Sequence, residues 1–345
     1  METNKPILDG IDPEIMDRLV SRREAIRKGA AASTMLTWGL SLGSVPVALA
    51  ALSKDVFGQA PADILDALQF AFILENLENE FYKTVLTTTN PQSALFTTVR
   101  TAILANANLL AALQQIQTHE QQHVNFLKNT AIPLFGGTAP TITANDFDFT
   151  GGNGTGTGPF AAAGTNVDFL LLATQAFEDT GVRAYKGQAG RFLLATNTRN
   201  ADVALEAALR IHSVEARHAA KIRRVRKARN TGDTALRFSG YVRGTGAAAA
   251  GTAGLTGVPA EVTAALNLIY GGASPEGNTS HIVFNDVANA QATIDAATMS
   301  GWTDGGTGET QAEAARMAFD EPLTKQEVID IVKGFIKDDA TRGLP

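Results

Sequence analysis

The chain contains no cysteine. That absence removes disulfides, thiolate metal sites and thiol nucleophiles together, so a metal held here must take oxygen and nitrogen ligands. Histidine is nearly as scarce, with five in 345 residues, at positions 119, 123, 212, 218 and 281. Four of those five fall in two short neighbourhoods, which is not how surface histidines scatter. An excess of positive charge is also missing. A formal charge of −6 and a pI near 5.5 leave no electrostatic footprint for nucleic acid, which argues against nucleic acid as a partner. Aromatic residues make up only 7%, yet the 44% hydrophobic content is ample for a packed core of one large or two ordinary domains.

The chemistry-bearing residues form a repeated pattern. Thr118-His119-Glu120-Gln121-Gln122-His123 returns as Ser213-Val214-Glu215-Ala216-Arg217-His218, and both contain ExxH. Positions three apart lie on one face of a helix, so each phrase aims a carboxylate and an imidazole at the same spot. Each is preceded by an acidic helical phrase reading Glu-x6-Tyr: Glu75 to Tyr82 before the first and Glu178 to Tyr185 before the second. Seven residues are nearly two turns, so each Glu shares a face with its Tyr. The order Glu, ExxH, Glu, ExxH supplies four carboxylates and two histidines from four helices, which is the ligand set of a carboxylate-bridged dinuclear metal site in a four-helix bundle.

Apolar spacing predicts the four helices over about 62–86, 94–128, 166–195 and 201–229. Thr87-Thr88-Thr89-Asn90-Pro91 stops the first, and the short connection after it makes the first two antiparallel neighbours. Between the second and third lies a long crossover without helical periodicity. It contains a strand-like alternation at 141–149 and the run Gly151-Gly152-Asn153-Gly154-Thr155-Gly156-Thr157-Gly158-Pro159, which lacks phosphate-loop order and reads as a flexible link. The fourth helix ends in the basic segment 221–229, expected to be a solvated end whose cations complement the helix dipole. Residues 231–310 read as loops and short helices draped on the bundle. A helix at 311–319 follows, then a second one capped by Thr324 and Glu327.

With these residues in place, the chain resembles the ferritin-like superfamily, and in particular its exported, desiccation-related bacterial branch. The segment Ala318-Phe319-Asp320-Glu321-Pro322-Leu323 resembles the tail of that branch. The resemblance implies an all-α fold: a ferritin-like four-helix bundle over 60–230 with a long crossover between its second and third helices. An export segment at 1–52 would precede the bundle, and a loop-rich, partly helical extension at 231–345 would pack on it. It implies two metal ions, iron by preference with manganese or zinc as alternatives. Glu75 with His123 would hold one ion and Glu178 with His218 the other, with Glu120 and Glu215 bridging. Tyr82 and Tyr185 would hydrogen-bond ligand carboxylates. Asp179 is placed to orient a histidine, although its counterpart in the first half is Asn76. Glu78, one turn from Glu75, reads as a solvated residue with an extra ligand as the alternative, and His119 and His212 as outer or surface groups.

The N-terminus carries Arg22-Arg23, then an uncharged and mildly apolar run from Gly29 to Leu52 with Ala48-Leu49-Ala50 near its end. That is the layout of a twin-arginine export signal, implying the Tat machinery as partner and a periplasmic or extracellular location, or a membrane anchor if uncleaved. The expected function is oxidation of Fe(II), or reduction of O₂ or peroxide, in envelope stress protection. A homo-oligomer is among the expected partnerships, and three rival functions remain: a non-catalytic protective protein; manganese catalase-like dismutation of peroxide; and a zinc metalloprotease. The last rests on His119-Glu120-Gln121-Gln122-His123, an HExxH in which both histidines would bind zinc. It leaves the second ExxH and both Glu-x6-Tyr phrases without a purpose.

Overall fold

A computed structural model describes residues 61–193, 198–229, 258–272, 275–285, 290–303 and 310–337. The export segment at 1–52 and residues 230–257 lie outside the described residues. The bundle is made of α1 (Pro61–Leu86), α2 (Thr97–Leu104), α3 (Ala107–Phe126), α4 (Val167–Leu193) and α5 (Thr198–Arg229). Helix α1 packs on α3 and α4 on α5, while α1 also meets α4 and α3 meets α5, which closes the four long helices around one axis. No described helix is long and apolar enough to cross a membrane.

The single helix expected over 94–128 is broken. Asn106 leaves helical geometry at φ −121° and ψ 95°, and its side chain accepts the Leu109 amide at 3.0 Å. Asparagine is among the strongest N-capping residues, so α3 starts afresh there and α2 becomes a separate short helix. Past Phe126 the chain continues through a π-helical turn at Leu127–Ala131 before it ends near Leu134. Such a turn adds a residue to the helical ladder without stopping the helix.

The crossover is ordered rather than flexible. The buried Asp148 carboxylate accepts from the amides of Thr150, Gly154 and Gly156 at 3.0, 2.8 and 2.9 Å. These donors hold its carboxyl below the usual range, although burial acts in the other direction. The glycines are needed because Gly151, Gly154 and Gly156 adopt left-handed φ of 75°, 91° and 70°. The strand-like alternation at 141–149 yields only one antiparallel bridge, Phe147 to Ile336, which ties the crossover to the C-terminal region.

The C-terminal extension is part of the core. It contributes α6 (Ala260–Tyr270), a hairpin β1 (Ser280–Asn285) and β2 (Ala290–Asp295), α7 (Gln311–Ala318) and α8 (Lys325–Val332). The two-stranded sheet was not foreseen in a segment read as loops and short helices. Thr310 with Glu313 and Thr324 with Glu327 form capping boxes at the starts of α7 and α8. Tyr270, Leu323, Val328, Val332 and Ile336 join the same apolar cluster as Leu77, Phe81, Leu113, Leu170 and Phe177 of the bundle.

The docking point is Arg183 on α4, whose side chain is only 1% exposed. Its Nε donates to the Glu321 carbonyl at 2.8 Å and lies 3.0 Å from the Glu276 carboxylate, and its Nη1 donates to the Ile269 carbonyl. One turn on, Gly187 lets the backbone of Leu323 touch the helix: a Cβ there would lie 1.8 Å from the Leu323 carbonyl oxygen. That contact is backbone, so it cannot be relieved by a side-chain rotation. Gly187→Ala is therefore expected to lose about 1–3 kcal/mol of stability, the usual range for overpacking, read as a lower urea midpoint. A variant as stable as the parent would show that the extension does not dock here.

Candidate metal centre

Two apolar clusters fill the bundle. The change from one to the other comes between Ile116 and Val124 on α3, which holds Glu120 and His123, and between Ile211 and Ile222 on α5, which holds Glu215 and His218; on α1 and α4 members of both clusters flank Glu75 and Glu178. All six residues are buried. The structure thus brings together all six residues expected from the two ExxH phrases and their partner helices.

Their donor atoms form two overlapping groups: Glu75, Glu120, His123 and Glu215, and Glu120, Glu178, Glu215 and His218. Within each group the atoms lie within 4.8 Å of one another. His123 Nδ1 sits 3.0 Å from Glu75, 3.1 Å from Glu120 and 3.2 Å from Glu215. His218 Nδ1 sits 2.8 Å from Glu120 and 3.1 Å from Glu178. The tyrosines reach across the bundle rather than along their own helices. Tyr82 on α1 donates to Glu178 on α4, and Tyr185 on α4 donates to Glu75 on α1. Each hydroxyl fixes the carboxylate of the opposite half.

Protein donors do not satisfy this cluster. Both oxygens of Glu215 and Oε1 of Glu120 are buried and receive no hydrogen bond. His123 and His218 approach two of these oxygens closely but out of line for donation. Unpaired carboxylate oxygens inside a protein are costly, and a cation removes the cost. The donor set is hard oxygen with two imidazoles, which suits iron, manganese or zinc.

Burial pushes the Glu120 carboxyl up to about 7, assisted by Glu75 and Glu178 and opposed by the two imidazoles. Burial also pushes Glu215 well above the carboxylate range, with Glu120 and Glu75 adding to the rise. Burial disfavours a charged His218, but Glu178 and Glu120 outweigh it and carry the imidazole up to about 11. His123 rises as well, chiefly through Glu75, while Glu75 itself falls because His123 faces it, burial notwithstanding.

Other expectations need correction. Glu78 is buried at 5% exposure, because α4 packs against that face of α1 at Gly181, and is not solvated. Asp179 orients no histidine; it points away from the site, where Arg223 and Tyr270 both donate to it. Arg223 is one of two residues that keep the basic end of α5 from being wholly solvated. It and Arg226 are buried, with Arg226 donating to Gln175 at 2.5 Å, while Lys221, Arg224 and Lys227 stay exposed. His119 belongs to neither donor group and instead places its Nδ1 2.9 Å from the outer Nε2 of His218. His212 lies away from the cluster, 3.9 Å from Asp320. Glu78 could have been found from its one-turn spacing to Glu75; the pairing of Arg223 with Asp179 leaves no mark in local sequence.

The pH dependence follows in sign. In the metal-free protein Glu120 binds its proton more tightly folded than unfolded, so its contribution to stability is present below the ordinary value of 4.5 and lost as pH rises towards 7. A bound cation displaces that proton. Metal affinity should therefore rise across pH 4.5–7 with net proton release, measurable by titration calorimetry in buffers of different ionisation enthalpy. Binding without proton release would contradict the buried, proton-holding carboxylates.

Neither the curated proteins nor the solved structures yield a match to this chain. A family model does: residues 63–228 match the ferritin-like domain, a span that runs from the first turn of α1 to the last of α5 and includes all six clustered donors, so this part of the chain is similar to a ferritin-like domain.

Proposed function

We propose that the chain holds two metal ions, iron by preference, between α1, α3, α4 and α5, and oxidises Fe(II) or reduces O₂ or peroxide as a protective reaction in the cell envelope. The observation that carries this reading is that Glu120 and Glu215 belong to both donor groups. Two carboxylates common to two adjacent sites are what a bridged pair of ions requires. Glu75 and His123 would complete one ion's ligands, Glu178 and His218 the other's. When bound, such a pair supplies electrons to the oxidant and accepts them from Fe(II).

The chain's own residues do the rest. Tyr82 and Tyr185 hold Glu178 and Glu75 in orientation, the role that outer partners play around metal ligands. The apolar clusters on either side keep bulk water from the polar layer, which strengthens every electrostatic interaction inside it. The envelope location rests on the paired arginines and the apolar run that follows them.

Full-length protein purified without oxygen should carry two metals per chain by elemental analysis. Pulses of O₂ or H₂O₂ should then be consumed in proportion to Fe(II) oxidised. Evolution of O₂ from peroxide by a manganese-loaded form would instead favour dismutation, and retained metal without turnover would favour the protective reading. His119→Ala separates the protease reading: with His119 outside both donor groups, both metals should remain, whereas a zinc protease would lose its ion.

A further inference from the structure

The two halves of the bundle match at the six donors and the two tyrosines, but not one turn beyond the first glutamate of each half. Glu75 pairs with Glu178, Tyr82 with Tyr185, and in the same register Glu78 on α1 pairs with Gly181 on α4. A Cβ at position 181 would lie 3.2 Å from Oε2 of Glu215 and 3.4 Å from Oε1 of Glu78. The second distance is ordinary contact and the first a tight approach to a movable side chain, so Glu78 and Glu215 lie side by side against α4 at Gly181.

Glu78 is not held there by the protein. It is 5% exposed, and no described residue donates a hydrogen bond to it. The groups that act on it most strongly are Glu215, Glu178, Glu120 and Glu75, one from each long helix and all acidic. A surface role is removed by burial, and no described cation forms an ion pair with it. It stands just outside the two donor groups, one turn along α1 from Glu75.

We propose that Glu78 is a seventh donor of the metal centre, entering beside Glu215 over Gly181, and that it makes the two metal positions unequal. The assignment rests on the dimetal reading above and adds to it a difference between the ions that the six matched donors would not produce. One ion gains an oxygen ligand and so a higher coordination number; the other keeps the ligands common to both halves.

Titration of the full metal-free chain with Co²⁺ alone tests this, because the visible absorbance of bound Co²⁺ weakens as its coordination number rises. The parent chain should bind two ions in two distinguishable steps with different band intensities. Glu78→Gln, which preserves volume, should weaken one step about 10–100-fold, intensify that step's absorbance and leave the other step alone. If the parent binds both ions while Glu78→Gln shows its two steps unchanged, Glu78 is no ligand and the assignment fails by itself. If the parent binds no Co²⁺, the dimetal reading fails and takes the assignment with it.

Discussion

Five carboxylates share one dry space in this protein, and the fold can tolerate them only if something positive joins them. Glu75, Glu78, Glu120, Glu178 and Glu215 are all buried, and hydrogen bonds reach only some of their oxygens. Like charges at such spacing in a low dielectric cannot all remain ionised without compensation. Two imidazoles supply part of it, which is why both histidines are driven towards their charged forms in the metal-free chain. Protons supply part of the rest, since Glu120, Glu215 and Glu78 all hold theirs more tightly than free carboxyls. Divalent ions would replace those protons with fixed charges at the centre of the cluster. The charge demand of the site and the stability of the bundle are therefore one problem.

The rest of the architecture keeps that cluster in register. A polar layer between two apolar clusters has no directional packing of its own, so the helices must be fixed from outside. Aromatic contacts do this on one side, where Phe81 meets Phe96, Phe149 and Phe177 with ring centroids 5.0–5.8 Å apart. Phe81 precedes Tyr82 and Phe177 precedes Glu178, so the same packing that joins α1 to α4 also sets the hydrogen bond between that tyrosine and that glutamate. The C-terminal extension adds a second restraint through Arg183 and the close approach at Gly187. Its position on the outer face of α4 makes it a brace for the helix that carries Glu178 and Tyr185.

Residues that repeat were legible in the sequence; residues that act once were not. The end of α1, the capping box of α8 and all six clustered donors could be read because each depends on local spacing: a Pro-bearing stop, a Thr three residues before a Glu, a Glu three before a His. The break at Asn106 was missed because the apolar period runs on through it, and only the capping preference of asparagine marks the place. The ordered crossover was missed for a different reason. Its order comes from one aspartate gathering three amides, and a glycine-rich run reads the same whether or not such an acceptor is near. Glu78 and Arg223 were misjudged because burial of a charged side chain depends on which helix covers it.

Asp179 shows how the chain limits the charge at its centre. It neighbours Glu178 on α4, and consecutive helical residues point about 100° apart, so the two carboxylates cannot both face the metal layer. Were Asp179 unpaired, it would still add a negative charge within a few ångströms of a cluster already overloaded with them. Arg223 on α5 meets it directly, and Tyr270 of the extension donates a second hydrogen bond. The arginine is raised above its ordinary range by this pairing in spite of its burial. A buried ion pair of this kind gains little net stability, because desolvation offsets attraction. Its effect lies elsewhere: the guanidinium stands against the charge of Asp179 on the back of α4, and the extension adds one tyrosine hydroxyl to that pairing without touching the carboxylate cluster.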